Sequence, residues 1–310
     1  MNYNRIARLI LCCLLLCTAA QAQDDFLTLK IMTYNIRHGA GMDDVLDLDR
    51  QAEVIRQAAP DVVALQEVDS VVKRSGRVDQ AAYLASSLGM EGRFGAAIPL
   101  SGGKYGVAIL SKESPLSCRN IPLPGTEKRT LLVCEFQEYV LACTHLDLDE
   151  TCRLQSVPII LEEAARWDKP FFICGDWNDE PSSKLITTMK RKFQFLNNLT
   201  ASPANYTFPA SSPKKIIDYI ATYGHVIKSI RSRQVINEPN ASDHRPVLVV
   251  ITIKPYTTGI QSPSADLETV QDEEIYDLSG KRVATGKSSS RTLPKGLYIM
   301  KNAKKVIAVK

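Results

Sequence analysis

The sequence predicts an α/β fold in which two β-sheets pack together and helices cover the outside. Short apolar segments typical of strands are interspersed with segments that have the apolar spacing and end signals of helices. Several predicted strands follow each other as closely spaced pairs, as in β-hairpins. A single parallel sheet contains no hairpins, so the pairs argue against that fold. No internal repeat of fixed period is visible.

The first predicted elements alternate between strand and helix. Residues Leu27–Asn35 alternate apolar and polar side chains, which indicates a strand ending at Asn35. A helix follows between its cap, Asp49, and Pro60, because its apolar side chains share one face. The apolar segment 61–67 predicts a buried strand ending at Glu67, and residues 79–88 predict a helix capped by an aspartate and stopped by a glycine.

The middle of the main domain contains short strands before its longest predicted helix. The segment 106–111 is a compact apolar run, and 131–136 and 139–144 are two such runs in close succession. The second member of this pair leads directly into His145. A helix is predicted over 153–166, with a proline near its start.

The last part of the main domain again alternates strand and helix. An apolar run ends at Asp176, a helix is predicted over about 183–192, and strands are predicted over 216–221 and 246–253. Beyond these, four short strands separated by turn residues are predicted within residues 272–310.

Composition divides the chain into four segments. Basic residues, an apolar run and Ala20-Gln21-Ala22 predict a secretory signal peptide over 1–22, with lipid attachment at Cys17 as the alternative. A main domain over 23–254, a linker rich in Thr, Ser, Pro and Gly over 255–271 and a small β-rich unit over 272–310 follow. The protein is therefore expected to be exported, to the periplasm, the outer envelope or the medium, with no transmembrane segment and as a monomer.

The charge of the main domain argues against a broadly basic nucleic-acid binder. The whole chain carries a net charge of +4, but residues 23–254 hold 27 basic and 28 acidic side chains, a net of −1. A local basic patch stays possible. Five cysteines follow the signal peptide; Cys143 and Cys174 lie in apolar runs and are predicted to be buried thiols, while one or two disulfides elsewhere stay possible.

Polar side chains stand at the ends of many predicted strands. Two of the chain's four histidines belong to this set, which comprises Asn35, Glu67, His145, Asp176, Asn178, Asp218, Asp243 and His244. Taken singly, each residue also fits a turn, a cap or a solvated position. Because strand ends can meet at one rim of packed sheets, the set predicts a shared polar site.

Seven short motifs carry a resemblance to a known family. They occur in the order MTYNIR, ALQEVD, YGVAILS, THLD, GDWND, IIDYI and SDHRPV within residues 27–252. In this order they resemble the endonuclease/exonuclease/phosphatase superfamily, whose fold is similar to that of deoxyribonuclease I. The resemblance implies a four-layer α/β/β/α sandwich of two packed mixed sheets and a phosphoric ester hydrolase that depends on Mg²⁺, with Mn²⁺ as a substitute.

The same resemblance implies roles for the site residues. Glu67 would be the principal metal ligand, with Asn35 and Asp243 close to the metal. Asp218 would orient His244, and either Asp176 or His244 would take the proton of the attacking water. Asn178 would locate Asp176 or the phosphate, and His145 would donate a hydrogen bond to a phosphate oxygen. Arg129 and His38 stay outside this set. Arg129 is expected either to meet phosphate or to be an ordinary solvated arginine. His38, next to the Asn35 motif, is expected in a surface turn, with contact to the substrate as the alternative.

The substrate class is left open between several phosphoesters. The acidic residues Asp179 and Glu180 after the GDWN core differ from the arginine usual in inositol-polyphosphate 5-phosphatases. The signal peptide argues against an intracellular repair endonuclease. We expect a phosphodiester of a lipid head group or another small phosphoester, with an extracellular nuclease acting on DNA or RNA, or a non-catalytic binding module, as alternatives. The C-terminal unit resembles the β-rich sorting tails of proteins exported by the type IX route.

Overall fold

Two six-stranded mixed sheets lie face to face in the computed structural model of this protein. The structure describes residues 26–256, 274–277, 279, 281–285, 296–300 and 305–309. The predicted signal peptide, 1–22, lies outside the described residues, as do most of the predicted linker, 255–271, and part of the C-terminal unit. The predicted two-sheet sandwich is confirmed.

The first sheet has the spatial order β11-β12-β1-β2-β4-β3. Its strands are β1 (Leu27–Asn35), β2 (Val62–Ser70), β3 (Glu91–Leu100), β4 (Gly103–Ser111), β11 (Ile227–Val235) and β12 (Val247–Ile253). Only the β1–β2 pair is parallel, and it is joined by a crossover that contains α1 (Leu48–Ala58). This crossover brings the ends of β1 and β2 to the same edge.

The second sheet has the spatial order β5-β6-β7-β8-β10-β9. Its strands are β5 (Ser117–Leu123), β6 (Arg129–Glu135), β7 (Val140–His145), β8 (Phe171–Asp176), β9 (Phe193–Phe195) and β10 (Asp218–Tyr223). Here the parallel pair is β7–β8, and α3 (Glu150–Ala165) forms the crossover. The remaining two α-helices of the described main unit are α2 (Gln80–Leu88) and α4 (Lys184–Met189).

Three apolar clusters hold the four layers together. Side chains such as Ile31 from the first sheet and Phe172 from the second form the cluster between the sheets. Helix α1 packs Ile55 against the outer face of the first sheet, and α3 packs Ile160 against the outer face of the second. Burial of these side chains is worth about 25 cal/mol per Å² of apolar surface, and the central strands of both sheets are buried along most of their length.

Contacts along the chain separate two compact units, Met1–Pro255 and Tyr256–Lys310. In the second unit, the described strands form an antiparallel sheet of order β14-β13-β15-β16. They are β13 (Glu274–Asp277), β14 (Arg282–Thr285), β15 (Gly296–Met300) and β16 (Lys305–Val309). Among the residues that the structure describes, none of the helices has the length and apolar composition needed to cross a membrane.

The structure corrects two sequence-based expectations about local elements. The N-cap of α1 is Asp47, not Asp49, since the Asp47 carboxylate accepts from the backbone N–H of Asp49 at 3.1 Å and of Arg50 at 3.4 Å. Four strands were not predicted, namely β3, β5, β9 and β11, and these are the edge strands of the two sheets. Edge strands lack the continuous apolar runs of central strands because one side and often one face meet solvent.

The cysteines follow the predicted pattern and add one disulfide. Cys143 and Cys174 are buried free thiols, as predicted. Cys118 and Cys134 form a disulfide that links directly opposed positions of β5 and β6. The bond closes a loop between the two strands and so restricts the unfolded chain.

Candidate active site

The structure brings all eight predicted site residues to one rim of the sandwich. The first sheet and the loop before β12 supply Asn35, Glu67, Asp243 and His244; the second sheet and the loop after β8 supply His145, Asp176, Asn178 and Asp218. In the second sheet, Asp176 is the register partner of both His145 and Asp218. Three ionisable side chains are therefore neighbours by strand pairing alone.

Asn35 connects the two sheets at this rim. Its Nδ2 donates to Glu67 Oε1 at 3.2 Å within the first sheet and to Asp176 Oδ2 at 3.1 Å in the second. Its side-chain Oδ1 accepts from the backbone N–H of Arg37 at 3.0 Å. The backbone carbonyl of Asn35 accepts from Ser242 Oγ at 2.7 Å. The fully buried amide thus has partners on every side, which keeps both carboxylates in place.

Glu67 stands at an irregular point of β2. The register between β2 and β4 shifts between Leu65 and Val68, and Glu67 has a φ of 59°, in the left-handed region that non-glycine residues rarely adopt. The bulge turns the carboxylate toward Asn35, where a regular strand would alternate it away. Backbone strain of this kind costs on the order of 1–3 kcal/mol and is typical of functional sites.

The residues around Glu67 fit a hard divalent cation. Burial raises the pKa of Glu67, a hydrogen bond from Asn35 opposes this, and the negative charges of Asp243 and Asp176 raise the pKa further. A cation between these oxygens would relieve that repulsion. Glu67 and Asp243 offer carboxylate oxygens, which Mg²⁺ prefers, whereas Asn35 presents its Nδ2 to Glu67 and its Oδ1 accepts from the Arg37 N–H.

A second group at the rim has the geometry of a metal site as well. Asp176, Asp218 and His244 each offer a ligand atom, and these atoms lie within 4.8 Å of one another. However, His244 Nδ1 lies 2.9 Å from Asp218 Oδ2 and 3.2 Å from Oδ1, so this nitrogen already donates to a carboxylate. His244 Nε2 lies 3.5 Å from Asp176 Oδ2. The arrangement is that of a histidine positioned by one carboxylate and facing another.

The two carboxylates keep His244 protonated. Burial lowers the pKa of this imidazole, but the charges of Asp218 and Asp176 outweigh the burial and raise the pKa to about 10. The ring of Phe208 packs against the imidazole with a centroid distance of 4.8 Å. At neutral pH, His244 is therefore a fixed cation with its Nε2–H group directed to the centre of the site.

Asp176 lies at that centre. Burial raises its pKa, and the neighbouring His244 and His145 act in the opposite direction. Its Oδ1 accepts from the backbone N–H of Asn178 at 2.9 Å, and its Oδ2 accepts from Asn35. Asn178 has a φ of 51°, a second left-handed non-glycine residue at the site, and this conformation directs its N–H to the carboxylate.

His145 is held as a neutral ring by two neighbours. Asn178 Nδ2 donates to the carbonyl of Leu146 at 2.9 Å, which identifies this atom as the amide nitrogen. The same nitrogen lies 3.0 Å from His145 Nε2 and can only donate to it. Nε2 must therefore accept, which leaves the ring proton on Nδ1, 3.5 Å from the hydroxyl of Tyr105. Burial lowers the pKa of His145 to about 4, although the charge of Asp176 opposes it.

Three residues of the site were not predicted from the sequence. Tyr105 and Ser242 belong to the motifs YGVAILS and SDHRPV, so their positions beside known site motifs were the available signal. Phe208 lies in a loop without any motif. Their contribution became visible only through their contacts with His145, Asn35 and His244.

Two further residues differ from their simplest expectation. Arg129 is 6% exposed, so it is not an ordinary solvated arginine. His38 lies in a short 3₁₀ turn with a φ of 46°, as expected for a turn, but its Nδ1 is buried and has no hydrogen-bond partner among the described residues.

Comparison with known proteins gives one family and a group of structures with the same fold. Residues 32–244 match the model of the Endonuclease/Exonuclease/phosphatase family. A search of curated proteins gives no significant match. A structure from Bacteroides vulgatus described as an endonuclease/exonuclease/phosphatase has a TM-score of 0.61 at 20% identity, and the alignment covers 73% of this chain and 99% of that one.

Two other similar structures have more specific names. A mannosyl-6-phosphatase from Bacteroides thetaiotaomicron has a TM-score of 0.56 at 18% identity, covering 72% of this chain and 99% of its own. The catalytic domain of human Nocturnin has a TM-score of 0.57 at 21% identity, covering 74% of this chain and 96% of its own. At such identities the likeness concerns the fold and leaves the substrate open.

Proposed function

The chain belongs to the endonuclease/exonuclease/phosphatase family, and from this membership we propose that it is an exported, Mg²⁺-dependent hydrolase of a phosphodiester. Members of the family are phosphoesterases or nucleases and generally depend on divalent metal ions. We further propose that the substrate is a lipid head group or another small phosphoester. One fold supports many substrates, so the likeness in fold does not identify the substrate. Support for both proposals comes from the site residues themselves.

One observation carries the proposal: Asn35 bonds to both halves of the site. Through Glu67 it contacts the oxygen-rich group that fits a cation, and through Asp176 it contacts the group that can transfer protons. Hydrolysis of a phosphodiester needs both functions next to each other, because charge must be neutralised where water attacks. The left-handed backbone at Glu67 and Asn178 directs the Glu67 carboxylate and the Asn178 N–H group into this arrangement.

Glu67 would hold the metal, with Asn35 and Asp243 beside it. A bound Mg²⁺ would neutralise phosphate charge as a Lewis acid. The protein's contribution is to keep three oxygen-bearing side chains at one point of the rim, with Asn35 fixed by Arg37 and Ser242 through hydrogen bonds of 3.0 and 2.7 Å.

Asp176 is the proposed general base. Its carboxylate can only accept while ionised, and the backbone of Asn178 orients it. His244 is unsuited to that role because it lies between two carboxylates that hold its proton, at 2.9 Å from Asp218 and 3.5 Å from Asp176. Its Nε2–H group would instead stabilise the negative oxygens of the transition state.

His145 and Asn178 are proposed to contact the phosphate. In the structure, His145 Nε2 accepts from Asn178, so donation to a phosphate oxygen requires the proton to move from Nδ1 to Nε2. Tyr105 can follow this change, because its hydroxyl accepts from Nδ1–H in one tautomer and donates to Nδ1 in the other. The released Nδ2–H of Asn178 would then be a second donor to the phosphate.

Exposed apolar side chains that follow two of the site motifs along the chain are our reason for proposing a substrate with an apolar part over a nucleic acid. Leu148, three residues after His145, is 75% exposed. The loop that follows Arg37 exposes Val45 by 54% and Leu46 by 44%, and Arg37 lies 4.0 Å from Asp243. Together with the net charge of −1 over residues 23–254, this supports a lipid-derived or small substrate.

Export is proposed from the sequence of residues 1–22, and surface placement from the C-terminal unit. Both rest on the patterns described above, since the signal segment lies outside the described residues. Fusion of residues 1–22 to a reporter, followed by fractionation of the cells, tests export. A reporter that stays in the cytoplasm contradicts it.

Substitution of the site residues tests the mechanism. Asp176→Ala and His244→Ala are each expected to lower kcat by roughly 10²–10⁴ without loss of the fold. Glu180→Ala and His225→Ala, which remove an exposed carboxylate and an exposed imidazole, serve as matched controls and should retain activity. A chelator should abolish turnover and Mg²⁺ should restore it. Full activity of either site variant, or of the chelated enzyme, contradicts the proposal.

A substrate panel tests the proposed class. We expect kcat/KM on sphingomyelin or bis-p-nitrophenyl phosphate to exceed that on plasmid DNA and single-stranded RNA in one Mg²⁺ buffer. A nuclease that neutralises several phosphates would lose affinity steeply with salt, with a log–log slope of about −0.9 per phosphate. A hundredfold preference for DNA or RNA together with such a slope would identify the protein as a secreted nuclease instead.

A further inference from the structure

Arg74 is a surface arginine whose orientation is fixed by two contacts. Its Nε and Nη2 donate to the two carboxylate oxygens of Asp69 at 2.9 Å each, and Asp69 is fully buried. The guanidinium lies over the ring of Tyr105, with Cζ 5.4 Å from the ring centroid. The side chain of Arg74 is nevertheless 42% exposed. A free surface arginine samples many rotamers, so this one is preorganised while part of it stays open to solvent.

The strand register places Arg74 beside the proposed active site. Asp69 lies opposite Tyr105 in the β2–β4 pair, just beyond Glu67, and register partners of an antiparallel pair project from one face of the sheet. Tyr105 reaches the second sheet, since its hydroxyl lies 3.5 Å from His145 Nδ1. The shared face is therefore the one toward the second sheet. Arg74 stands over the same tyrosine whose hydroxyl meets His145.

The ion pair with Asp69 leaves one edge of the guanidinium unused. A guanidinium has more N–H groups than one carboxylate accepts, and the bonds to Asp69 engage Nε and Nη2 on one side. Nη1 takes no part in these bonds. The edge formed by Nη1 and Nη2 can therefore still present two parallel N–H groups to an incoming oxyanion.

The surroundings of Arg74 are basic, although the main domain as a whole is not. Residues 69–79 together with Lys104, which faces Ser70 in the β2–β4 pair, carry four basic and two acidic side chains, a net of +2. The basic ones are Lys73, Arg74, Arg77 and Lys104, and the acidic ones are Asp69 and Asp79. Since Asp69 balances the charge of Arg74 itself, the positive charge that remains favours an anion at this place.

From these contacts we infer that Arg74 forms a specificity subsite for a second anionic group of the substrate, a phosphate or a carboxylate, next to the phosphodiester that is cleaved. Arg74 contacts the ring of Tyr105 whereas His145 contacts its hydroxyl, so the tyrosine sets the two apart and they meet different parts of the substrate. The inference rests on the proposed function, because it extends the substrate of that reaction. Arg74 binds and orients this group, and no proton or electron is transferred.

Two pairs of phosphodiesters, each differing by one anionic group, test the inference. Glycerophosphoinositol 4-phosphate has one phosphate more than glycerophosphoinositol, and glycerophosphoserine has one carboxylate more than glycerophosphoethanolamine. The wild type should prefer the more anionic member of at least one pair by roughly 10- to 100-fold in kcat/KM, the range expected for hydrogen bonds to a charged group. The pair that shows the preference identifies the group. Arg74→Gln should abolish the preference by raising KM for the more anionic member.

Arg93→Gln is the matched control. Arg93 is 41% exposed and has a carboxylate partner, Glu91, at 3.4 Å, but it lies opposite Ile109, toward the far end of β4 from Tyr105. Its replacement removes the same charge and should leave the preference within about twofold.

Two further variants separate the role of the fork from that of charge and folding. Arg74→Lys keeps the charge without the fork and should restore only part of the preference. Arg74→Gln leaves the buried Asp69 carboxylate without its partner, which can impair folding. The double variant Asp69→Asn/Arg74→Gln buries no unpaired charge, and it should lose the preference to the same extent.

Calorimetric titration of the Asp176→Ala variant with the same four compounds, in a Mg²⁺ buffer, measures the preference without turnover. Equal Kd values within both pairs, no binding of any of the four compounds, or a preference that survives the addition of Arg74→Gln overturns the inference, even if the wild type hydrolyses phosphodiesters. Conversely, an Arg74-dependent preference in Kd, in a protein whose wild type hydrolyses no phosphoester, would refute the proposed function and leave the anion subsite intact.

Discussion

Acidification should destabilise this protein through His145, and replacement of that residue should remove the effect. The ring is buried and its pKa is lowered to about 4 by burial, against the opposing charge of Asp176 and with the support of Arg129. His244 and Asp147 are the other charged groups that act on it. In the unfolded chain, a histidine titrates near a pKa of about 6.5.

The sign and size of the effect follow from that difference. Between the two pKa values the unfolded chain binds a proton that the folded protein excludes, so the free energy of unfolding falls as the pH falls. The contribution is intact above about pH 6.5 and is lost progressively toward pH 4. Linkage gives a loss of roughly 2 kcal/mol at pH 5 and about 3 kcal/mol at pH 4.

Urea denaturation of the wild type and of His145→Gln, followed by tryptophan fluorescence at several pH values between 7 and 4, measures this contribution. Glutamine has polar atoms at a similar reach but does not titrate in this range. The wild type should lose about 3 kcal/mol more than the variant over this interval. His225→Gln, at an exposed position, is the control and should follow the wild type. Parallel loss of stability in the wild type and in His145→Gln would refute the argument that burial keeps the ring neutral.

Three further predictions concern the site, the boundary and the disulfide. Asp218→Asn should lower kcat by roughly 10²–10⁴ with little change in KM, because an amide cannot stabilise the protonated ring of His244; unchanged kcat would contradict this role. A chain ended at Pro255, the limit of the first compact unit, should keep its kcat/KM on a soluble substrate, and a tenfold drop would show that the later residues complete the site. Replacing Cys118 and Cys134 together by serine should lower the free energy of unfolding by about 3 kcal/mol, given their sequence separation of 16, and equal urea midpoints would contradict this.

The sequence predicted the central strands and the polar residues at their ends. Buried strands such as β8 have continuous apolar runs, because both faces are covered, and the run stops where the chain reaches the rim. Asp176 stands at that point, so its position at the rim follows from the same pattern. Seven motifs in family order then indicated which polar strand ends belong together.

The edges of the sheets were not readable in this way. The strands β3, β5, β9 and β11 have mixed side chains because they meet solvent, and their strand character comes from hydrogen bonds to neighbours distant in the sequence. The cap of α1 shows the same limit, since Asp47 and Asp49 are equally good capping residues and the backbone geometry selects one of them.

Tertiary contacts alone decided how the site residues act on each other. The sequence by itself identified His145, His244 and the two carboxylates, but it contained nothing on their protonation, because this depends on burial and on neighbours from other strands. Packing made His145 neutral, through burial, and His244 cationic, through Asp218 and Asp176. The physical reason is that side-chain chemistry is local to a residue, whereas electric field and solvent access are set by the whole fold.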